Sequence, residues 1–226
     1  MKQNHFVHRI DKEEINKMPV VSFEGEVIIV RTQEMVKEAV DYLSKHAYIG
    51  IDTETRPSFV HGVHYPTALV QLSTLERCYL FQLNHIGLPV ELAKLFSNDK
   101  VCKVGLALRD DWRGLYHLRR FTPKNYVDLQ NIVPTYGILN LGLQKIFAIL
   151  FGQKISKSQQ LTNWANDVLT DDQARYASTD AWAALKIYLE LLNTKPLPVK
   201  EYMALKEADR QLQIQHQQEI EARNNL

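Results

Sequence analysis

The chain has 226 residues, of which 45% are hydrophobic and 23% charged. This apolar fraction suffices for a packed core and excludes both a chain disordered throughout and a collagen-like repeat, and the length fits one large domain with an extension. The formal net charge of +1 lacks the basic excess typical of nucleic-acid-binding domains, although charges gathered into patches would still allow such binding.

Signals for export or membrane insertion are missing from the sequence. No apolar run reaches the roughly 18 residues of a membrane span, and the N-terminus lacks the apolar core of a signal peptide. The two cysteines, Cys78 and Cys102, have no CxxC spacing, which argues against a zinc ribbon and a disulfide framework. We therefore expect no membrane association and a cytoplasmic location.

The predicted elements begin after a polar N-terminal arm, residues 1–25. Four apolar runs predict strands in the first half of the chain: 27–30, 47–51, 68–72 and 78–81. Apolar residues at helical spacing predict a helix at about 33–45, between the first two strands. The run at 47–51 is continuous, which is typical of a strand buried on both faces.

The second half of the sequence is mainly helical. Its predicted helices are 91–96, 111–118, 141–150 and 171–192, and its short strands are 100–104 and 126–127. Thr170 and Gln173 form a capping-box pattern that opens the last helix. Grouped strands with helices before and after them predict one α/β domain with a mixed sheet over residues 26–195. The polar composition of residues 196–226 predicts a helical tail, with a frayed polar segment as the alternative.

Asp52 and Glu54 follow directly on the apolar strand at 47–51. Side chains two residues apart on a strand point to the same face, and adjacent carboxylates beside an apolar core either have raised pKa values or bind a cation. Hard divalent ions such as Mg²⁺ and Mn²⁺ prefer carboxylate oxygens. The pair is therefore a candidate metal site, unless the strand ends before Asp52 and both acids lie in a solvated loop.

Tyr176 and Asp180 are one helical turn apart on the predicted long helix. Ala184 and Ile187 share their face, which predicts that Asp180 lies on or beside the buried stripe. No Arg or Lys lies one turn away on this face, and a buried carboxylate needs a compensating charge from elsewhere. The alternative is a partly exposed Asp180 at the edge of the stripe.

A third acidic site follows the predicted strand at 100–104. Asp110 and Asp111 come shortly after Gly105 and open the helix predicted at 111–118. Aspartates at a helix N-terminus commonly cap the helix and stabilise its dipole, which is the structural alternative for this site. If the strands form one sheet, the three acidic sites converge, and this convergence is our hypothesis.

Three segments carry these acids in a characteristic order: Ile51-Asp52-Thr53-Glu54, then Lys103-Val104-Gly105 with Asp111, then Tyr176-Ala177-Ser178-Thr179-Asp180. This order resembles the exonuclease motifs of the DEDD superfamily in its tyrosine subtype. The segment before the third motif is similar to the ribonuclease D and Werner exonuclease branch, through Asn163-Trp164 and Leu169-Thr170-Asp171-Asp172-Gln173. The resemblance covers about residues 26–193.

The resemblance implies a ribonuclease H-like fold, a mixed sheet flanked by helices. It further implies 3′-to-5′ hydrolysis of nucleic acid from its 3′ end, with release of nucleoside 5′-monophosphates by two-metal-ion catalysis. Two Mg²⁺ or Mn²⁺ ions would be held by four acids: Asp52, Glu54, Asp111 and Asp180. Asp52 is expected to bridge both ions, and Tyr176 is expected to position the attacking water.

The identity of the second-motif acid depends on the residue from which the pattern is counted. Counting forward from Lys103 and Gly105 selects Asp111, whereas counting back from Trp112 selects Asp110. Asp111 is our prediction.

The expected partner is the 3′ end of single-stranded DNA or RNA, contacted by Arg56, Phe59 and Lys157. Phe59 would stack on the terminal base, with a loop anchor as the alternative. Lys157 lies in the loop before the third motif, where the resemblance implies a basic residue. Basic residues near the second motif could also contact phosphates, and a solvated charged face explains them at least as well. They are Arg109, Arg113, Arg119, Arg120 and Lys124.

Two other functions compete with an exonuclease. Asp52-Thr53-Glu54-Thr55 superficially resembles the DxDxT motif of haloacid-dehalogenase phosphatases, but the third residue is Glu and the later Lys and acidic pair of that family are missing in order. A catalytically silent nucleic-acid-binding or scaffold domain of the same fold is the second alternative. The presence of all four acids and the tyrosine argues against it.

Overall fold

A six-stranded mixed sheet lies at the centre of the chain, whose residues 2–4 and 6–224 the computed structural model describes. The strands are β1 (Glu26–Val30), β2 (Tyr48–Thr55), β3 (Thr67–Ser73), β4 (Arg77–Gln82), β5 (Cys102–Gly105) and β6 (Tyr126–Asp128). Their order is β1-β4-β3-β2-β5-β6. β3 is antiparallel to both of its neighbours, and the other pairs are parallel, so the expected mixed sheet is confirmed.

Helices flank this sheet. They are α1 (Lys12–Lys17), α2 (Gln33–Leu43), α3 (Leu83–Ile86), α4 (Val90–Phe96), α5 (Leu108–Leu118), α6 (Leu129–Ile132), α7 (Leu143–Phe151), α8 (Asp171–Leu192) and α9 (Val199–Asn224). The single turns α3 and α6 were not predicted, because four residues are too few to show a helical period. Within residues 2–4 and 6–224, no helix combines the length and apolar character needed to cross a bilayer.

The sheet divides the core into two layers, and the side chains of β2 point alternately into one layer and the other. Ile49 and Ile51 lie in the layer covered by α2, α4 and α5. The opposite layer lies beneath α7 and α8. Because successive strand residues point to opposite faces, Gly50, Asp52 and Glu54 face α8. The sheet thereby presents both carboxylates of β2 to the longest helix that packs on it.

α8 approaches β2 most closely at Gly50. A Cβ atom on Gly50 would overlap the carbonyl oxygen of Ala181 and press against the Leu185 side chain. Glycine is required here by the close approach of two backbones. This contact brings the turn of α8 that carries Asp180 onto the strand that carries Asp52.

The N-terminal segment packs against the domain. Ile15 of α1 contacts a small cluster with Ala148 of α7, and Val20 pairs with Lys154 in an isolated bridge. The sequence did not predict α1, because a six-residue helix with one buried residue has no apolar stripe. Through the bridge to Lys154, the segment supports the loop that leads to Lys157.

The C-terminal segment consists of a short irregular stretch followed by α9. Asp209 of α9 accepts two hydrogen bonds from Arg9 Nη2, at 2.6 and 2.8 Å, and a third from Arg9 Nε at 2.9 Å. This bidentate ion pair ties α9 to the N-terminal segment. Residues 1, 5, 225 and 226 of the two predicted terminal segments lie outside the described residues.

Candidate active site

β2 positions the first two acids. It continues to Thr55, because pairing with β3 extends past Asp52 as far as Glu54 opposite Leu69, with a bulge at the next residue. The alternative of a solvated loop is therefore wrong. Asp52 and Glu54 are half-buried and project from the same face, as their spacing predicts.

α8 positions the third acid. The predicted capping box is present, since Thr170 accepts a hydrogen bond from the Gln173 backbone and Gln173 accepts one from the Thr170 backbone. Asp180 is only 8% exposed, so the alternative of a partly exposed aspartate is wrong. Carboxylate oxygens of Asp52, Glu54 and Asp180 all lie within 4.8 Å of one another. Two acidic sites far apart in sequence thus meet in one cluster.

The second-motif acid lies on α5, which begins earlier than predicted. The helix starts at Leu108 instead of Asp111, so Asp111 is not its capping residue. Ala107 adopts a left-handed conformation, with φ of 59°, and the Asp128 carboxylate accepts hydrogen bonds from the backbone N–H groups of Ala107 and Leu108 at 3.0 and 2.9 Å. This cap comes from β6, a distant strand, so no local pattern around α5 indicates it.

The contacts of the two adjacent aspartates on α5 differ. The Thr53 hydroxyl donates a hydrogen bond to Asp111 Oδ1, and the charge of Asp111 raises the pKa of both Asp52 and Glu54. Asp110 is exposed, and its charge is not among those that raise the pKa of Asp52 or Glu54. The geometry therefore favours Asp111 over Asp110 as the fourth member of the cluster.

The crowded carboxyl groups have raised pKa values. Burial raises the pKa of Asp52 well above its ordinary value, and the charges of Asp180 and Glu54 raise it further. Burial and the charge of Asp180 raise the pKa of Glu54 to about 9. Burial also raises the pKa of Asp180 to about 7 and that of Asp111 to about 6. Such confined negative charge must be neutralised by protons or by cations.

The stability of the metal-free protein should consequently fall as the pH rises. The pKa values of about 7 for Asp180 and about 9 for Glu54 exceed those of the unfolded chain, so the folded protein binds more protons. The contribution of the cluster is greatest below about pH 4, where both states are protonated, and is lost as the pH passes through 7 and then 9. Because the groups interact, the loss belongs to the cluster as a whole.

Thermal unfolding in a chelator, between about pH 5 and pH 9, checks this expectation. Asp180→Asn removes one member and should give a shallower decline than the wild-type chain. Wild-type stability that stays level or increases over this range would contradict it.

Tyr176 lies beside the cluster. Burial raises the pKa of its phenol, and the negative charges of Asp180 and Glu54 raise it further. Its hydroxyl lowers the pKa of Asp180, as expected of a group that hydrogen-bonds the charged carboxylate. The ring packs 5.8 Å from the ring of the fully buried Trp164, centroid to centroid. Tyr176 is thus a protonated, well-packed hydrogen-bond donor at neutral pH.

A cavity of about 320 Å³ opens onto the acids. Its lining residues come from β2, α7, α8 and the loops before α5, before α7 and after α7. They are Ile51, Asp52, Thr53, Glu54, Leu106, Gly142, Leu143, Gln144, Ile155, Ser156, Lys157, Gln160, Tyr176, Asp180 and Ala184. The charge of Lys157 lowers the pKa of Asp180. Lys157 therefore offsets part of the charge of Asp180, although burial still holds the pKa of Asp180 at about 7.

The other two residues expected to contact nucleic acid lie outside this lining. Arg56 and Phe59 belong to the loop between β2 and β3. The Arg56 guanidinium lies 4.7 Å from the centroid of the Tyr65 ring, and Phe59 is 84% exposed. The structure therefore brings together Lys157 and the acids, while Arg56 and Phe59 form part of an exposed loop.

The donor set of the cluster fits hard divalent cations. All of the converging groups are carboxylates, and Mg²⁺ and Mn²⁺ prefer oxygen ligands. Burial, followed by the negative charges of neighbouring acids, raises the pKa values of Asp52 and Glu54, and bound cations would neutralise that charge. The elements β2, α5 and α8 position these acids.

Sequence reasoning missed several residues of the site. Gly50 and Asp128 act through contacts between elements distant in the chain, and no local pattern indicates such contacts. Gln144 and Gln160 line the cavity, but a polar residue in or beside a loop carries no signal of its own. Thr53 was visible inside the first motif, yet its hydrogen bond to Asp111 depends on where α5 lies.

Comparison with known proteins identifies relatives of this chain. Residues 27–195 match the family of 3′-5′ exonuclease domains. A protein of Acanthamoeba polyphaga mimivirus described as a candidate 3′-5′ exonuclease is 31% identical over 176 residues, which is 70% of this chain and 43% of that protein. The mouse bifunctional 3′-5′ exonuclease/ATP-dependent helicase WRN is 29% identical over 191 residues, 79% of this chain and 13% of that protein. The chain thus spans less than half the length of these two relatives.

Solved structures share the fold. The EXO domain of Aedes aegypti Nibbler matches with a TM-score of 0.66 and 23% identity, over 89% of this chain and 99% of that domain. Trypanosoma brucei RNase D, in complex with RNA, matches with a TM-score of 0.69 and 20% identity, over 78% of this chain and 66% of that one. These neighbours confirm the ribonuclease H-like arrangement of a mixed sheet flanked by helices. With the family match over 27–195 and the motif acids converging as described, the chain belongs to the DEDD family of 3′-5′ exonucleases.

Proposed function

We propose that this chain is an active 3′-5′ exonuclease that hydrolyses nucleic acid from its 3′ end and releases nucleoside 5′-monophosphates. The observation that carries the proposal is the convergence of Asp52, Glu54 and Asp180 within 4.8 Å, beside a cavity that Tyr176 and Lys157 also line. A scaffold domain would have no use for buried carboxylates that repel one another.

Asp52, Glu54, Asp111 and Asp180 would hold two Mg²⁺ or Mn²⁺ ions. When bound, such ions neutralise the phosphodiester, activate water for attack and stabilise the leaving oxygen. The four carboxylates supply the negative charge that holds the ions, and the cavity leaves room for the scissile phosphate. In the overall reaction, a water oxygen forms a bond to phosphorus and the bond from phosphorus to the 3′ oxygen breaks. One proton of the water ends on the 3′ oxygen of the shortened strand, which becomes a hydroxyl, and the other passes to solvent.

Tyr176 would position the attacking water. Its raised pKa keeps the phenol protonated at neutral pH, so that it acts as a hydrogen-bond donor and not as a general base. Lys157, beside Asp180, would contact a phosphate oxygen of the strand. Both groups require the substrate to enter the cavity with its terminal phosphodiester facing the acids.

The exposed loop between β2 and β3 would contact the strand beyond the scissile bond. Phe59 offers an exposed ring for stacking on a base, and Arg56 offers a cation held against Tyr65. The single-stranded 3′ end of DNA or RNA is the proposed partner. The RNase D of Trypanosoma brucei that shares this fold has been solved with RNA, which supports RNA as one substrate to test.

A strand-shortening assay tests the proposed activity. With Mg²⁺ or Mn²⁺, single-stranded DNA or RNA labelled at its 5′ end should yield a ladder of products shortened from the 3′ end, together with nucleoside 5′-monophosphates. A circular oligonucleotide has no 3′ end and should remain intact. Binding without turnover would indicate a silent scaffold, and cleavage of small phosphomonoesters alone would indicate a phosphatase.

The two neighbouring aspartates on α5 form a matched pair for a second prediction. Asp111→Asn should lower the rate by about 100-fold or more, because a charge that faces the other acids is lost. Asp110→Asn changes an exposed residue one position away and should leave the rate unchanged. Initial rates of strand shortening at fixed Mn²⁺ compare the two variants, and a larger loss in Asp110→Asn would reverse the assignment.

A further inference from the structure

Gln71 of β3 is an unusual buried residue. Its side chain is completely buried, and within the described residues neither its amide nitrogen nor its amide oxygen has a hydrogen-bond partner. Buried polar groups are normally paired, because an unpaired one loses its hydration without compensation. The amide of Gln71, in the centre of the sheet, is therefore available to bond a group that a neighbouring residue presents to it.

The position of Gln71 identifies that partner. Gln71 lies directly opposite Asp52 in the antiparallel pair of β2 and β3. Side chains at directly opposed positions share a face, with Cβ atoms about 5 Å apart, so the amide is within reach of the Asp52 carboxylate. Asp52 lines the cavity, whereas Gln71 does not. Gln71 can therefore influence the site only through a residue that lines it.

A second buried glutamine provides a comparison on the same face of the sheet. Gln82 of β4 is also completely buried. In the pairing of β3 with β4, Gln82 lies opposite Leu69 and Gln71 lies opposite Leu80, so the two glutamines share a face. Its amide oxygen accepts a hydrogen bond from Arg31 Nε, and its amide nitrogen donates one to the Asn166 carbonyl at 3.1 Å. Gln82 thus has the structural partners that Gln71 lacks.

We propose that Gln71 is a positioning residue whose amide N–H donates a hydrogen bond to the Asp52 carboxylate when divalent ions occupy the acidic cluster. The inference rests on the proposed metal-dependent function. Asp52 would be one of the residues that hold the ions, and an amide from the neighbouring strand would keep its carboxylate in one orientation. Hydrogen-bonded carboxylates of this kind hold metal ions more tightly, typically by about 10- to 100-fold.

The test replaces the amide by an apolar side chain of similar length, Gln71→Met. Calorimetric titration of the nucleic-acid-free protein with Mn²⁺ should show affinity about 10-fold weaker than that of the wild-type chain. The melting temperature in a chelator should stay the same or increase, because an unpaired buried amide has been removed. Turnover should decrease at limiting Mn²⁺ and recover at saturating Mn²⁺. Gln71→Leu removes the same amide with a different shape and should reproduce this pattern.

Gln82→Met serves as the matched control and should show the opposite pattern. It loses two hydrogen bonds, so its melting temperature should fall while its Mn²⁺ affinity remains that of the wild-type chain. Unchanged Mn²⁺ affinity in both Gln71 variants, or a fall in melting temperature like that of Gln82→Met, would overturn the inference. If the wild-type chain binds Mn²⁺ but cuts no strand, the proposed exonuclease activity fails, whereas the role of Gln71 at the ions is still decided by the titration.

Discussion

Replacing Asp52 or Asp180 with asparagine is expected to lower the rate of strand shortening by about 10³-fold or more. Each substitution removes a charge from the cluster in which both carboxylates lie within 4.8 Å of Glu54. Stabilisation of transition-state charge by bound metal ions is worth several kcal/mol, and about 4 kcal/mol corresponds to about 10³ in rate. Initial rates with Mn²⁺ and a single-stranded substrate measure the loss.

The same substitutions should stabilise the metal-free fold. Burial raises the pKa values of Asp52 and Asp180, and the charges of neighbouring acids raise that of Asp52 further. A neutral amide at either position removes the cost of burying a carboxylate there and the repulsion that its charge exerts on Asp52 or on the other acids. We therefore expect a higher melting temperature in a chelator near neutral pH, together with lost activity. Asp110→Asn, at an exposed position, is the control for the activity measurement. Turnover close to wild type in either variant would refute the proposed site.

Gly50→Ala is expected to damage both stability and activity, although Gly50 is not an acid of the site. The added Cβ would overlap the carbonyl oxygen of Ala181, and backbone cannot move aside as a flexible side chain can. Overpacking of a core typically costs about 1–3 kcal/mol and occasionally more, and we expect the upper end here. Because α8 must move away from β2, the distance between Asp180 and Asp52 should increase and Mn²⁺ affinity should fall.

Chemical denaturation and Mn²⁺ titration of Gly50→Ala check this expectation. Thr55→Ala, at the exposed end of the same strand, provides a control that alters β2 away from the helix. A Gly50→Ala variant with wild-type stability and wild-type Mn²⁺ affinity would show that α8 is not held at the distance the structure indicates.

Local periodicity in the sequence was enough to predict part of the site. A strand repeats its side-chain direction every two residues, so spacing alone predicts that Asp52 and Glu54 share one face. A helix brings residues four apart together, which paired Tyr176 with Asp180. The capping box at Thr170 and Gln173 marked the start of α8. These predictions succeeded because each depends on backbone geometry within a few residues.

Local patterns were insufficient where the start of an element depends on a distant partner. The prediction began α5 at Asp111, whereas Asp128 caps the helix three residues earlier. Because the helix starts at Leu108, Asp111 lies within it and faces the other acids, whereas Asp110 lies outside the cluster. The choice between the two aspartates, on which the two ways of counting disagree, was therefore decided by a side chain from β6.

Charge and packing across the sheet were likewise decided only by the tertiary structure. Lys157, from a loop outside α8, offsets part of the charge of Asp180. Gly50 sets the distance between α8 and β2. Gln71 becomes notable only because β3 places it opposite Asp52. The order of residues along the chain determines which face of a strand or helix each side chain occupies. Which faces then meet depends on contacts between segments far apart in sequence, and these form only when the whole core packs.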